Sequence, residues 1–139
     1  MIVVDSSALI AVLFEEPDKQ TFQDIIDGDE RCVLSALNAH ETACILRARL
    51  GVVAVAEFWQ WLADNEIEIV PFDETQVRAA AVAFDRYGKG IDPKARLNLA
   101  DCAAYALAVT MNAPLLFKGD DFAATDVRAS PSRKEASRP

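Results

Sequence analysis

Four short apolar runs, Ile2–Val4, Cys32–Ser35, Glu68–Pro71 and Leu115–Phe117, punctuate this chain, and the segments between them carry apolar residues at helical spacing. Antiparallel strands can be joined by a tight hairpin, but parallel strands need a crossover of a dozen residues or more. Each interval here is long enough to hold at least one helix. The expected fold is therefore α/β, a central parallel β-sheet flanked by helices on both faces.

The helices can be delimited by their punctuation. Ala8 to Phe14 reads as a helix that follows Asp5-Ser6-Ser7, and Phe22, Ile25 and Ile26 place an amphipathic helix over residues 18–27, closed by Gly28. Asn38 is expected to cap a helix that runs to Leu50, with Gly51 as its stop and a further helix from Val52 to Asn65. In that further helix Val55, Phe58, Trp59 and Leu62 form the expected core stripe. Trp61, about 200° around the helix from Trp59, is expected to face outward and anchor a partner. Asp73 caps a helix in which Val77, Ala80, Ala81 and Phe84 repeat, Tyr87 to Arg96 is a loop, and Asn98 caps the most apolar helix, Leu99 to Met111. Residues 1–129 thus make one domain, and the polar stretch 130–139 is expected to be a disordered tail.

Composition narrows the chemistry. Cys32, Cys44 and Cys102 are odd in number and lack C-x-x-C spacing, so they read as buried free thiols rather than a disulfide framework or a thiolate zinc site. His40 is the only histidine, which excludes a His-pair zinc motif and a nuclease that shuttles protons between two imidazoles. There is neither a signal-peptide pattern nor an apolar run of membrane-spanning length, and a cytoplasmic location is expected. A net charge of −8 opposes broad nucleic-acid binding, so a metal ion or a local basic patch must offset it if RNA is bound.

Carboxylates are what remain. Asp5 ends the first strand, where ligands gather in open α/β sheets, though Asp5 or Ser6 can equally cap the next helix. Glu41 lies on a stripe with Cys44, Ile45 and Ala48, either at a tolerant helix start or pointing into a buried site. Asp101 is the only charged residue between Leu97 and Met111, and it also stands three after Asn98, as in a capping box. Asp120 and Asp121 follow the last strand. Two carboxylates ~4 Å apart at an effective dielectric of about 20 repel by roughly 4 kcal/mol, so a converging set needs a cation or altered protonation. Oxygen ligands without Cys or His point to Mg2+, with Mn2+ as substitute, and such an ion suits phosphodiester hydrolysis.

At these residues the chain resembles the PIN-domain superfamily, and within it the VapC toxins of bacterial toxin–antitoxin pairs. The similarity runs from Ile2-Val-Val-Asp-Ser-Ser-Ala-Leu through Leu97-Asn-Leu-Ala-Asp-Cys-Ala-Ala-Tyr-Ala-Leu-Ala to Pro114-Leu-Leu-Phe-Lys-Gly-Asp-Asp-Phe and Thr125-Asp-Val. The resemblance implies a PIN-like fold and a metal-dependent endoribonuclease, inhibited by a cognate VapB-like antitoxin and usually homodimeric. It implies Asp5 and Asp101 as principal metal ligands, with Glu41 and one of Asp120 or Asp121, Asp121 being favoured, completing the acidic site. Relatives often carry Gly before the helical aspartate, whereas Leu99-Ala100 stand there in this chain. Ser6 either hydrogen-bonds a ligand carboxylate or the metal's water, or serves as a helix cap. Arg86, Lys89, Lys94 and Arg96 line the loop entering the Asp101 helix and form a candidate RNA-phosphate guide beside the reading as a solvated loop. Arg133, Lys134 and Arg138 belong to the tail.

Two other readings compete. A strand-terminal aspartate also serves Asp-based α/β phosphoryl enzymes, but a dehalogenase-like site wants a second Asp two residues on, where Ser7 stands. A non-catalytic binding module with a PIN fold is the other.

Overall fold

The computed structural model describes residues 1–130, so the expected tail, apart from Ser130, and with it Arg133, Lys134 and Arg138, lies outside the described residues. The elements in order are β1 (Ile2–Val4), α1 (Ser6–Leu13), α2 (Lys19–Ile26), β2 (Cys32–Ser35), α3 (Ala36–Leu50), α4 (Val52–Asp64), β3 (Glu68–Val70), α5 (Glu74–Tyr87), α6 (Leu99–Thr110), β4 (Leu115–Leu116) and a 3-10 turn, Asp121–Ala124. The strands are all parallel in the order β3-β2-β1-β4, with Val3 paired between Val33 and Leu115.

Strand pleating sorts the core into two layers, because successive side chains point to opposite faces. Ile2, Val4, Cys32, Leu34 and Leu116 pack with α1 to α4, whereas Val3, Val33 and Leu115 pack with α5 and α6. Helices thus cover both faces, as the alternating pattern predicts. Gly51 ends α3 and starts α4 at a φ of 95°, a conformation that costs a residue with a Cβ more than it costs glycine.

Three helix faces depart from the sequence reading. The cap of α3 is Ser35, whose side chain accepts the Leu37 N–H at 3.3 Å, because β2 runs straight into the helix without a loop. Asn38 is therefore the third helical residue and fully buried. In α5 only Ala80 of the expected repeat is buried, while Val77 and Phe84 are 48% and 41% exposed. Its buried face is made of Ala80 and Ala83, with Ala79 beside them, and these small residues set α5 against the alanine-rich α6.

The two tryptophans of α4 also exchange roles. Phe58 and Leu62 are buried and Val55 packs on the core as expected, but Ala54 and Trp61 complete the stripe and Trp59 is left 46% exposed. Trp61→Ala should therefore cost about 2 kcal/mol or more of stability and Trp59→Ala less than about 1 kcal/mol, read by urea denaturation. Equal losses would mean that the helix is rotated the other way. Of the cysteines, Cys32 and Cys102 are buried, whereas Cys44 is exposed on α3 beside His40. Among the described residues, no helix is long and apolar enough to cross a membrane.

Candidate active site

The strand order reverses beside β1, since β2 and β3 add on one side and β4 on the other. Such a reversal opens a crevice at the carboxyl ends of the two central strands. Asp5 stands at that point, its N–H held by the Leu116 carbonyl at 2.9 Å. Its Oδ2 accepts the Ser7 N–H at 3.0 Å and the Ser7 hydroxyl at 2.6 Å, so Asp5 does cap α1. Its Oδ1 is buried with no hydrogen-bond partner. Burial, with the charges of Asp101 and Glu41 adding to it, drives the Asp5 carboxyl up to about 7 against the two Ser7 hydrogen bonds.

Asp101 likewise has two roles. Asn98 Oδ1 accepts the Asp101 N–H at 2.9 Å and Asp101 Oδ2 accepts the Asn98 N–H at 3.0 Å, which completes a capping box. Half-burial nevertheless pushes its carboxyl up to about 6; the hydrogen bond from Asn98 opposes this, and Asp121 and Glu41 add to it. Glu41 reaches the same region from the second turn of α3, half-buried. Asp121 opens the 3-10 turn just after β4, where Gly119 at a φ of 97° redirects the chain. Thus the charges of Asp101 and Glu41 act on Asp5, and those of Asp121 and Glu41 act on Asp101, which links four separate segments through Asp101. Asp120 sits one residue earlier, at the N-cap of the turn.

The serine that holds Asp5 is Ser7, which the sequence reading did not propose for this role. An N-cap aspartate bonds the residue two positions on, and Ser7 offers both its N–H and its hydroxyl there. The Asp-x-Ser spacing at the helix start was the available signal. Ser7 Oγ also accepts the Lys118 N–H at 2.9 Å, tying Asp5 to the loop after β4. Lys118 Nζ pins that loop to the α1–α2 turn through Glu16 and Asp18, each at 3.1 Å. Ser6 instead faces Asn38, accepting its Nδ2 at 3.0 Å and donating to its carbonyl at 3.4 Å.

The donor set fits a hard cation. An unpartnered buried carboxylate oxygen, and two carboxyls raised by burial with neighbouring acids adding to it, are what a bound ion would relieve. Among the described residues, no group of three or more His, Cys, Asp or Glu side chains stands close enough together to hold a metal ion, so the oxygen chemistry of the donors, not a formed cage, is what suits a hard cation. Asp5 and Asp101 each commit one oxygen to a hydrogen bond, with Ser7 and Asn98.

The basic residues divide. Arg86 is engaged in a side-chain network, 3.6 Å from Asp126, donating to the Tyr87 hydroxyl at 2.9 Å and stacked over the Tyr87 ring. Tyr105 donates to the same Asp126. Arg86 thus ties Asp126, after the 3-10 turn, to α5, and Tyr105 ties it to α6, while the Arg86 side chain stays half-exposed. Lys89 and Arg96 line an open cavity of about 500 Å³ with Gly90, Ile91, Asp92 and Pro93. Asp92, the acid of that loop, turns inward to accept the backbone N–H groups of Lys94 and Ala95 at 2.8 and 3.4 Å. Lys94 itself is exposed on the same loop.

A PIN-domain family model matches residues 2–128, and the chain belongs to the PIN-domain family. Within that family its sequence relatives are VapC ribonucleases. It is 40% identical over 127 residues to "Ribonuclease VapC" of Mycolicibacterium smegmatis, which covers 91% of this chain and 98% of that protein. The fold is shared with VapC20 of Mycobacterium tuberculosis, described as a sarcin-ricin loop cleaving toxin, at a TM-score of 0.76 and 16% identity over 91% of this chain and 96% of that one. It is also shared with a chain of a toxin–antitoxin complex from Klebsiella pneumoniae, at a TM-score of 0.69 and 14% identity, covering 91% and 93% of the two chains.

Proposed function

We propose that this protein is a divalent-metal-dependent endoribonuclease that serves as the toxin of a VapBC pair and is held inactive by a VapB-like antitoxin. The observation that supports the reading is Asp101 acting electrostatically on Asp5 and sensing Glu41 and Asp121, beside the strand-order reversal of a chain similar to VapC ribonucleases. Asp5 and Asp101 would hold the ion, with Glu41 and Asp121 completing the acidic set. Bound Mg2+ or Mn2+ supplies activation of water and neutralisation of charge on the departing oxygen. The protein's own part is to keep the acids in place: Ser7 orients Asp5, Asn98 orients Asp101, and Lys118 anchors the loop that carries Asp121. Lys89, Lys94 and Arg96 offer phosphate contacts at the rim, a local offset to the overall negative charge. The same reading gives a homodimer located in the cytoplasm.

The test is cleavage of a single-stranded RNA or an RNA loop by protein purified without antitoxin. Cleavage is expected with Mg2+ or Mn2+ and none in excess EDTA, with recovery when metal is restored. Clean cleavage that persists in chelator would exclude the mechanism, and no cleavage with either metal would exclude the activity.

A further inference from the structure

We propose that Asn38 is a positioning residue that sets the spacing of Asp5, Glu41 and Asp101, an inference that rests on the ribonuclease reading above. Its side-chain amide has two N–H donors, and both are used across the fold: one reaches Ser6 Oγ at 3.0 Å and the other the Ala100 carbonyl at 3.1 Å. Ser6 follows Asp5 directly, and Ala100 precedes Asp101 directly. Asn38 is itself three residues before Glu41 on α3, about one helical turn away and on a neighbouring face. A single amide therefore joins the three elements that carry these acids.

The link crosses the sheet. Asp5 and Glu41 belong to elements packed in one apolar layer and Asp101 to a helix of the other. Apolar packing within either layer does not register one layer on the other at the strand ends, whereas directional hydrogen bonds do. The backbone carbonyl of Asn38 adds to the junction by accepting the hydroxyls of Thr42 at 2.8 Å and Ser6 at 3.4 Å. Asn38 is fully buried and its Oδ1 has no hydrogen-bond partner, a state that costs stability. A side chain kept for packing alone would not need to carry that cost, since leucine has nearly the same volume and no polar atoms.

The experiment compares Asn38→Leu, Asn38→Ser and a control, Leu62→Ala, whose truncation lies in the α4 core away from the acids. Each is assayed well below its own melting temperature for kcat and KM on an RNA oligonucleotide, and separately for Mn2+ binding by calorimetry. Asn38→Leu should lower kcat by about 10- to 100-fold with KM within about threefold, because misplacement near 1 Å has that effect on chemistry. Its Mn2+ affinity should fall about tenfold, as for loss of a group that orients metal ligands. Asn38→Ser, which keeps one donor, should fall between Asn38→Leu and the wild type, and Leu62→Ala should retain kcat and Mn2+ affinity despite its lower stability. Wild-type kcat and Mn2+ affinity in Asn38→Leu, or losses no larger than those of Leu62→Ala, would overturn the proposal. If Asn38→Leu does not fold, Asn38→Ser decides alone, and wild-type behaviour there overturns it. Absence of cleavage by the wild type would strike the ribonuclease reading instead, while the Mn2+ comparison would still report on the spacing.

Discussion

Asp101→Asn is expected to lower RNA cleavage at least about a hundredfold while leaving the metal-free protein as stable as before or more so. The two results come together because the substitution separates the two roles of Asp101. An asparagine oxygen can still accept the Asn98 N–H, so the capping box that starts α6 survives. The charge does not. Burial, together with Asp121 and Glu41, holds the Asp101 carboxyl up to about 6, and removing the charge relieves that repulsion at neutral pH. Asp101→Ala is the contrast, since it also removes the cap and should cost about 1 kcal/mol. Metal reverses the order. An ion that binds only the folded state stabilises it as ln(1 + [L]/Kd), so the wild type should gain markedly in melting temperature on adding Mg2+ and Asp101→Asn much less. Thermal melts with and without Mg2+, beside a cleavage assay on the same preparations, check both arms. Wild-type cleavage together with an unaltered metal shift would reduce Asp101 to a helix cap.

The second large effect is a loss of stability in the metal-free protein as pH rises. Asp5 at about 7 and Asp101 at about 6 both lie above the ordinary aspartate value of 3.8, so between those values the folded state holds protons that the unfolded chain has released. Stability therefore falls with pH in that window: the contribution is fully present below 3.8 and is lost as pH passes through 6 to 7. The melting temperature should drop by about 5–10 °C between pH 5 and pH 8. Asp126 acts in the opposite sense, because its hydrogen bond from Tyr105 lowers its carboxyl, but that contribution is lost only as pH falls below the ordinary range. Mg2+ should restore stability at pH 8 and do little at pH 5, where protonated carboxyls are poor ligands. A flat profile from pH 5 to 8, or equal metal stabilisation at both ends, would show that burial and the neighbouring acids do not hold these carboxyls raised.

Much of the candidate site is legible in the sequence, for identifiable reasons. Asp5 and Asp121 are adjacent to strand ends that apolar runs mark locally, and Asp101 is a lone charge in an apolar helix. Ser7 and Asn38 were harder to find because their significance lies in their partners. Ser7 bonds the backbone 111 residues away at Lys118, and Asn38 bonds a carbonyl 62 residues away at Ala100. No local pattern encodes such pairs. Arg86 shows the same effect: its basic neighbours in sequence suggest phosphate, whereas its neighbours in space include Asp126 and Tyr87.

The amino-acid sequence by itself determined the kind and order of the elements, because apolar periodicity, caps such as Asp73 and Asn98, and the stop at Gly51 act within a few residues. It also determined that successive strand residues serve opposite sides of the sheet, through pleating. Tertiary structure decided the rotation of each helix about its axis. Both tryptophans of α4 satisfy an apolar stripe, and only packing on the core beneath the helix selects Trp61 for the inside and leaves Trp59 outside. It likewise decided that Ser35, not Asn38, caps α3, since the cap falls where the strand ends and Asn38 is then carried inward to its partners on α1 and α6. The physical reason is common to these cases: a helical period specifies that one face is buried, but its phase depends on contacts with segments far away in the chain.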